Sequence, residues 1–361
     1  MEEIRKEELQ RDSLQNEDLN DLEVLSMPEL YDTAYMPRMP VIEGLLNCGL
    51  CIFSGAPKTG KSFLVLQMAY SVAIGQPLWD YPVNQGTVLY LALEDNYCRL
   101  QERLAKMFGE KAAKNLYLAV RSKKIQEGLV DQIERFVKDH PDTRLVIIDT
   151  LQKIREGQDD RYSYANDYDN ITKLKQFSDG NVVCVLVVHH TRKLESSDSF
   201  AMISGTNGLL GAADAAFVLR KERRTGDTAI LEITGRDQPD QQLTLKRDGE
   251  TCLWTKEKEE VQILPEKEDP VLERIDAFIS KPDGEWHGSA SELIEACPGL
   301  LELIKPNILT RKLNINCGLL LQKYSLKYIP HERTREKRSF DLIREAPKPE
   351  AVTVCDDCDD I

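Results

Sequence analysis

The segment that decides the fold spans 50–62 and reads Leu-Cys-Ile-Phe-Ser-Gly-Ala-Pro-Lys-Thr-Gly-Lys-Ser. A short apolar run ends in a glycine-rich turn, and apolar residues with helical spacing follow at 63–72. The turn matches GxxxxGK[ST] in full, with a strand predicted before it and a helix after it. The pattern therefore predicts a loop that binds the phosphates of ATP, formed by Gly55, Ala56, Pro57, Lys58, Thr59, Gly60, Lys61, Ser62 and Phe63.

Each residue type in this loop has a chemical reason. The glycines let backbone N–H groups turn toward phosphate oxygens without a side chain in the way. Lys61 would place a positive charge on the β- and γ-phosphates, and Ser62 would offer its hydroxyl to Mg²⁺. The start of the following helix adds its dipole. ATP and Mg²⁺ are thus the expected substrate and cofactor.

Two carboxylates follow other predicted strands. Asp149 closes the apolar run 145–148, where an acid of a P-loop enzyme holds Mg²⁺; the alternative is a cap of the next turn. Glu94 follows the strand predicted at 87–93 and could orient and deprotonate the attacking water. Helix capping by Glu94, Asp95 or Asn96 is the alternative. We expect Asp95 to cap and Glu94 to be the base.

Three further polar residues are candidates for the catalytic site. His189 and His190 end the predicted strand 182–188, so they face the crevice at the carboxyl edge of a parallel sheet. One of them could contact the γ-phosphate, or both could be loop residues without a role. Arg236 follows the predicted strand 229–233. Its guanidinium could reach the ATP of a neighbouring subunit, or form a surface salt bridge with Asp237.

Length and composition limit the class of protein. A chain of 361 residues is long enough for two domains, and a net charge of −14 argues against a surface that coats nucleic acid. The start of the chain is acidic rather than secretory, and no apolar run is long enough for a bilayer. We expect a cytoplasmic protein with reduced thiols and no membrane partner. Cys355 and Cys358 form an isolated CxxC, which is insufficient for zinc.

Strands that are continuously apolar and alternate with helices predict an α/β fold with a mainly parallel sheet. Composition divides the chain into five segments. We predict a polar N-terminal arm at 1–37, an ATPase domain at 38–255, a charged linker at 256–270, a small winged-helix-like domain at 271–345 and an acidic disordered tail at 346–361.

Two regions are candidates for DNA contact. The polar loops 155–164 and 192–206 follow central strands, and they carry Arg155, Arg161, Arg192 and Lys193. In the C-terminal unit, the predicted third helix at 306–321 would carry recognition and a basic hairpin would form the wing. The alternatives are protein contact or solvated surfaces. The basic residues are Lys323, Lys327, Arg333, Arg335, Lys337 and Arg338.

Six motifs in this order resemble the RepA-like AAA-type ATPases, RecA-fold relatives of hexameric replicative helicases. They are Gly-Leu-Leu at 44–46, the phosphate loop, Val-Leu-Tyr-Leu-Ala-Leu-Glu-Asp at 88–95, Val-Ile-Ile-Asp at 146–149, Val-Val-His-His-Thr-Arg-Lys at 187–193 and Gly-Arg-Asp at 235–237. The resemblance spans about 38–255.

This resemblance implies a RecA-like ring ATPase, a hexamer, that moves on single-stranded DNA. By position, Glu94 is similar to the catalytic glutamate, His190 to the γ-phosphate sensor and Arg236 to the finger that acts in trans. The N-terminal arm resembles one that packs on a neighbouring subunit. The winged-helix-like unit departs from the family pattern and favours an origin-binding, loading or regulatory role.

These observations predict an ATP-dependent DNA motor, by resemblance a 5′-to-3′ replicative helicase of a plasmid, phage or mobile element. Two alternatives stay open. One is a recombination or repair ATPase that acts on single-stranded DNA without unwinding. The other is a DNA-binding replication regulator that ATP switches.

Overall fold

The computed structural model describes residues 24–35, 37–155, 163–190, 200, 207–221, 223, 226–261, 269–280, 284–331 and 338–345. They form two compact units. The ATPase unit comprises the described residues of 38–261. The C-terminal unit comprises those of 269–345 together with 24–37. Among the described residues, no helix combines the length and apolar character needed to cross a bilayer.

The ATPase unit is built on a nine-stranded sheet with the order β3-β2-β4-β5-β1-β6-β7-β8-β9. The six strands from β3 to β6 in this order run parallel, whereas β7, β8 and β9 continue the sheet antiparallel. The strands are β1 Gly49–Gly55, β2 Thr87–Ala92, β3 Leu116–Ala119, β4 Thr143–Asp149, β5 Cys184–His190, β6 Ala215–Lys221, β7 Thr228–Gly235, β8 Gln241–Arg247 and β9 Trp254–Val261.

Helices connect the parallel strands. The first helix among the described residues, α1 at Met27–Asp32, belongs to the C-terminal unit. The others in this part of the chain are α2 Lys61–Ile74, α3 Tyr97–Phe108, α4 Leu129–Asp139, α5 Leu151–Ile154, α6 Ser163–Asn181 and α7 Asn207–Ala212, with a 3₁₀ turn at Ile125–Glu127.

Burial explains why the parallel strands read as unbroken apolar runs. Every residue of β1 and β2 is buried, and alternate residues contribute to two hydrophobic clusters on opposite faces of the sheet. A strand that is covered on both faces has no polar side, so alternation disappears. In β7 and β8 buried residues alternate with partly exposed ones. The α/β fold with a mainly parallel sheet is confirmed.

The predicted start of the charged linker at 256 is wrong. Strand β9 continues to Val261 and pairs with β8, for example Lys246 with Thr255 and Gln242 with Glu260. Its charged residues fit a strand because β9 lies at the sheet edge and is mostly exposed. Lys256 adds ion pairs with Asp80 and Glu259.

The C-terminal unit combines short helices with a three-stranded antiparallel sheet of order β10-β12-β11. Arg344 ties the helices to this sheet, since it donates to three backbone carbonyls and pairs with Asp276 at 2.7 Å. The elements are α8 Pro270–Phe278, β10 Glu285–Ser289, α9 Ala290–Ala296, α10 Leu300–Leu303, α11 Pro306–Ile315, α12 Cys317–Tyr324, β11 Leu326–Pro330 and β12 Ser339–Arg344.

Two details differ from the sequence prediction. The third helix predicted at 306–321 is two helices, α11 and α12, that meet at Asn316. Strand β10 was not predicted. Its placement beside β12, with β11 on the other side, gives the small sheet three strands rather than a hairpin alone. The winged-helix class of this unit stays a prediction.

Candidate nucleotide-binding site

The phosphate loop joins the end of β1 to the start of α2 in a closely packed turn. Gly60 caps α2 with φ of 100°, a left-handed conformation that favours glycine. A Cβ at Gly60 would come within 2.8 Å of the Trp254 ring, and one at Gly55 within 2.5 Å of the Leu219 carbonyl oxygen. Both glycines are therefore required by the packing as well as by the predicted approach of phosphate.

Lys61 is the buried cation of this loop. Only 4% of the residue is exposed, and its ammonium donates to the carbonyl oxygens of Gly55 at 2.8 Å and Ala56 at 2.9 Å. Burial lowers its pKa to about 8, although the charges of Asp149 and Glu94 oppose this shift. The ammonium is thus poorly compensated, and a polyphosphate beside it would stabilise its charged form.

Asp149 ends β4 and lies at the start of α2. Its Oδ2 accepts from the Tyr90 hydroxyl at 2.7 Å, and the Ser62 hydroxyl also hydrogen-bonds to it. Burial raises the pKa of Asp149 despite both hydrogen bonds. A cation at this carboxylate would offset the cost of burial.

A carboxylate and a hydroxyl are hard oxygen ligands of the kind that Mg²⁺ prefers. Magnesium is often held by one or two protein groups plus substrate phosphates rather than by a full protein cage. Within the described residues no cluster of three or more His, Cys, Asp or Glu could hold a metal alone. Ser62 and Asp149 therefore fit the predicted role of ligands for a phosphate-bound Mg²⁺.

Glu94 follows β2, and its side chain is 45% exposed. Its Oε1 accepts from the Thr150 hydroxyl at 3.3 Å, which ties it to the end of β4. Its Oε2 lies 4.0 Å from His190 Nε2. A partly solvated carboxylate at this edge is placed to accept a proton from a water molecule.

The predicted cap by Asp95 is wrong. The N-cap of α3 is Asn96, whose side chain accepts from the Arg99 backbone N–H at 2.9 Å. Asp95 instead pairs with Arg103 at 2.7 Å and with Arg99 at 3.5 Å. Because Asn96 is the N-cap of α3, Glu94 is not used for capping.

His190 lies between the cation and the acid. Its Nδ1 is 3.1 Å from the Lys61 ammonium, and its Nε2 faces Glu94. Burial and the charge of Lys61 lower the pKa of His190, so at neutral pH the imidazole is neutral and accepts from Lys61. The His189 side chain lies on the opposite face of the strand from His190 and is buried. Of the two histidines, only His190 lines the cavity.

The strand order explains how distant segments meet. Opposite Ala92 at the end of β2 lies Asp149 of β4, and opposite Gly55 at the end of β1 lies His190 of β5. Since β2, β4, β5 and β1 are neighbours in the sheet, their carboxyl ends form one edge. All four predicted groups, Lys61, Asp149, Glu94 and His190, line one cavity of about 530 Å³.

The cavity also contains residues that sequence reasoning missed. Arg103 and Arg247 lie on the Phe63 ring, with guanidinium carbons 5.1 and 5.5 Å from its centroid. Both arginines line the cavity with Asp95 and Arg99. Arg247 ends β8, far along the chain, so no local motif indicates it. The start of α3 could have indicated Arg103, which is one turn beyond Arg99.

Arg236 does not lie at this site in its own chain. Gly235 pairs with Ala215 at the amino end of β6, whereas the phosphate loop meets Leu219 toward the carboxyl end. The Arg236 side chain is 56% exposed, and it donates to the Gly211 carbonyl and lies 3.9 Å from Asp214. These contacts replace the alternative pair with Asp237. Arg236 is therefore not among the residues that line the cavity beside the phosphate loop.

The predicted DNA-contact loops fall mostly outside the described residues. Arg161, Arg192 and Lys193 lie there, as do Arg333, Arg335 and Lys337 of the predicted wing, the acidic tail 346–361 and residues 1–23. Arg155 follows α5 and is partly buried. Lys323, Lys327 and Arg338 belong to the described part of the C-terminal unit.

The sheet order, the complete phosphate loop and the acids at neighbouring strand ends define the class: this chain contains a RecA-fold P-loop nucleotide-binding domain. Residues 21–196 match the family described as "AAA domain". The AAA-type, RecA-fold ATPase class predicted from the sequence is thereby confirmed.

The fold is shared with the solved structure of a DnaB-like helicase. A DnaB-like replicative helicase, solved in a study of its interactions with primase, is 14% identical over 69% of this chain and 70% of that chain, with a TM-score of 0.52. A KaiC-like protein from Pyrococcus horikoshii is 15% identical over 62% of this chain and 99% of that chain, with a TM-score of 0.46. A search of curated proteins finds no match.

Proposed function

We propose that this chain is an ATP- and Mg²⁺-dependent motor on single-stranded DNA, a replicative helicase of a plasmid, phage or mobile element that works as a ring, with six subunits by resemblance. The observation that carries the proposal is the convergence of Lys61, Asp149, Glu94 and His190 on one cavity beside the phosphate loop. Binding alone requires the loop, whereas hydrolysis also requires an acid placed for proton transfer.

In the proposed reaction, Lys61 holds the β- and γ-phosphates after exchanging its loop carbonyls for phosphate oxygens. Magnesium, held by Ser62 and Asp149, would supply charge stabilisation at the phosphates. Glu94 orients a water molecule and accepts its proton as the oxygen attacks the γ-phosphorus, the bond from this phosphorus to the β–γ bridging oxygen breaks, and ADP leaves with phosphate as the second product. His190 lies between Lys61 and Glu94, so it senses whether the γ-phosphate is present.

Arg236 would complete the site from a neighbouring subunit. Its position at the opposite edge of the sheet, with the side chain half-exposed, supports a finger that acts in trans rather than on the nucleotide of its own chain. This arrangement makes hydrolysis depend on assembly. A monomer would bind nucleotide but hydrolyse it slowly.

The test combines ATPase rate, strand separation and oligomer mass in one buffer. We expect single-stranded DNA to stimulate ATPase activity and a tailed duplex to be unwound with one tail polarity. ATPase activity without strand separation would replace the helicase proposal with a recombination or repair ATPase. Full ATPase activity in Lys61→Ala would overturn the site itself.

A second candidate is a replication regulator that ATP switches. The observation that favours it is the C-terminal unit, which has its own hydrophobic core and which a motor does not need. In a switch, binding of ATP suffices, so Glu94→Gln would keep function in a replication assay. In a motor, the same variant abolishes it.

A further inference from the structure

Helix α1 lies on the helix that the sequence predicts for DNA recognition. The Tyr31 carbonyl accepts from the Asn314 side chain of α11 at 3.1 Å, and the Tyr35 carbonyl accepts from the Cys317 thiol at 2.9 Å. Tyr328 in turn holds Asn314 through a hydrogen bond at 2.8 Å. All these contacts are within the C-terminal unit.

The Asp32 carboxylate is the charged centre of this contact. Its Oδ1 lies 2.9 Å from Arg311 Nε and 3.9 Å from Arg338 Nη1. Arg338 also donates to the Asp32 carbonyl. Two guanidinium groups, one from α11 and one from the residue before β12, thus converge on one carboxylate oxygen. This is the arrangement that arginines adopt around a phosphate oxygen of a nucleic-acid backbone.

Lys312, the cation next to Arg311 in α11, has a partner of a different kind. Lys312 pairs with Asp269, the N-cap of α8, at 2.6 Å, so its charge is used in holding the unit together. Arg311 projects from the next position and is 45% exposed. The acid it meets comes from α1 rather than from the body of the unit.

Helix α1 is weakly held. It has only six residues and none of them is buried, although Ser26 and Glu29 form a capping box at its start. So short a helix is not stable alone and depends on its docking. Its ion pairs are about half exposed, and such pairs contribute little to stability. Displacement of α1 would therefore break only these exposed contacts and its few hydrogen bonds.

We propose that α1 is an internal competitor of DNA: the Asp32 carboxylate occupies the place of a backbone phosphate on Arg311 and Arg338, and DNA that binds there displaces α1. The proposal rests on the proposed function in taking DNA as the ligand. It adds a second DNA-binding surface, outside the motor, whose affinity α1 lowers.

The test uses the full-length chain without nucleotide, with a fluorescent DNA duplex of about 20 base pairs and a single strand of equal length as probes. Asp32→Asn removes the competing charge and keeps the shape. Glu29→Gln is the matched control, because it removes the same charge from the same helix without touching either arginine. We expect Asp32→Asn to tighten DNA binding about two- to fivefold relative to Glu29→Gln at low salt.

A double variant tests whether the effect passes through the proposed contact. In an Arg311→Ala background we expect weaker DNA binding, and Asp32→Asn should then raise the affinity less than in the parent chain, because Asp32 covers only Arg338 there. Thermal unfolding of each variant checks that the unit stays folded.

Three outcomes decide the proposal. Equal affinities of Asp32→Asn and Glu29→Gln would overturn it. Unchanged DNA binding in Arg311→Ala would also overturn it. The surface formed by Arg311 and Arg338 would then be a candidate for contact with a protein. A gain with Asp32→Asn in a chain that fails to unwind DNA would uphold the inference and refute the motor instead.

Discussion

Nucleotide binding should weaken steeply with rising pH in the range where an ordinary lysine stays charged. The reason is the burial of Lys61, which lowers its pKa from the usual 10.5 to about 8. The charged ammonium is the form that holds triphosphate. The Lys61 ammonium is fully charged well below this pKa, and its charge is lost as the pH rises through the pKa.

The size of the effect follows from the charged fraction. At about one pH unit above the pKa, roughly one site in ten carries the ammonium, so the apparent affinity for nucleotide falls about tenfold. A lysine with the usual pKa would lose almost nothing there. The pKa of His190 is lowered from its usual 6.5, so this ring is already neutral and does not contribute.

The assay is equilibrium binding of a fluorescent, non-hydrolysable ATP analogue with Mg²⁺ at a series of pH values between about 7 and 9.5. The Lys58→Met variant is the matched control, because it removes a lysine of the same loop that is exposed. It should bind with the same pH profile as the parent chain. Lys61→Arg, in which the cation does not titrate, should bind with a flat profile.

A flat profile in the parent chain would refute the reasoning. It would mean that the ammonium keeps its charge despite burial among the loop carbonyls. If the affinity of Lys61→Arg for the analogue also fell with rising pH, another group would be responsible for the titration, and the explanation based on Lys61 would be wrong.

The remaining predictions concern catalysis, assembly and stability. Glu94→Gln should lower ATP turnover about 10²- to 10⁴-fold with nucleotide affinity retained, as measured by steady-state ATPase and analogue binding. Arg236→Ala and Lys61→Ala should each be inactive, but mixing them should restore part of the ATPase activity if Arg236 acts in trans; no recovery would contradict that role. Arg344→Ala should destabilise the C-terminal unit by about 1 to 3 kcal/mol, because it leaves partly buried carbonyls and Asp276 without their donor. Differential scanning calorimetry would show this as a lower melting temperature of that unit alone.

The sequence indicates which groups meet at the carboxyl edge of the sheet, because Asp149, Glu94 and His190 lie at or just after the end of an apolar strand and Lys61 lies in the phosphate-loop motif. Lys61, Asp149, Glu94 and His190 could each be placed from a short local pattern. The parallel sheet then brings them together, since all its carboxyl ends lie on one side. Strand order did not have to be known for this inference.

The parts that the sequence did not predict depend on long-range contacts. Arg247 reaches the Phe63 ring from β8, and nothing near either residue indicates the other. Strand β9 was assigned to a linker because its composition is that of a solvated segment. This segment forms a strand because it pairs with β8. Its amino-acid composition does not show that a neighbouring strand is available.

The charged edge of the sheet at β9 also has a consequence for how copies of the chain can associate. An exposed strand edge is a template for another strand, but β9 presents five charged side chains in succession from Lys256 to Glu260, and its register with β8 is shifted at Thr244. A second copy that extended the sheet here would have to remove these charged side chains from water and pair each Lys with a Glu, at an edge that the register shift makes irregular. Extension of the sheet at β9 is therefore disfavoured, and a contact between copies at this edge would have to be made by side chains.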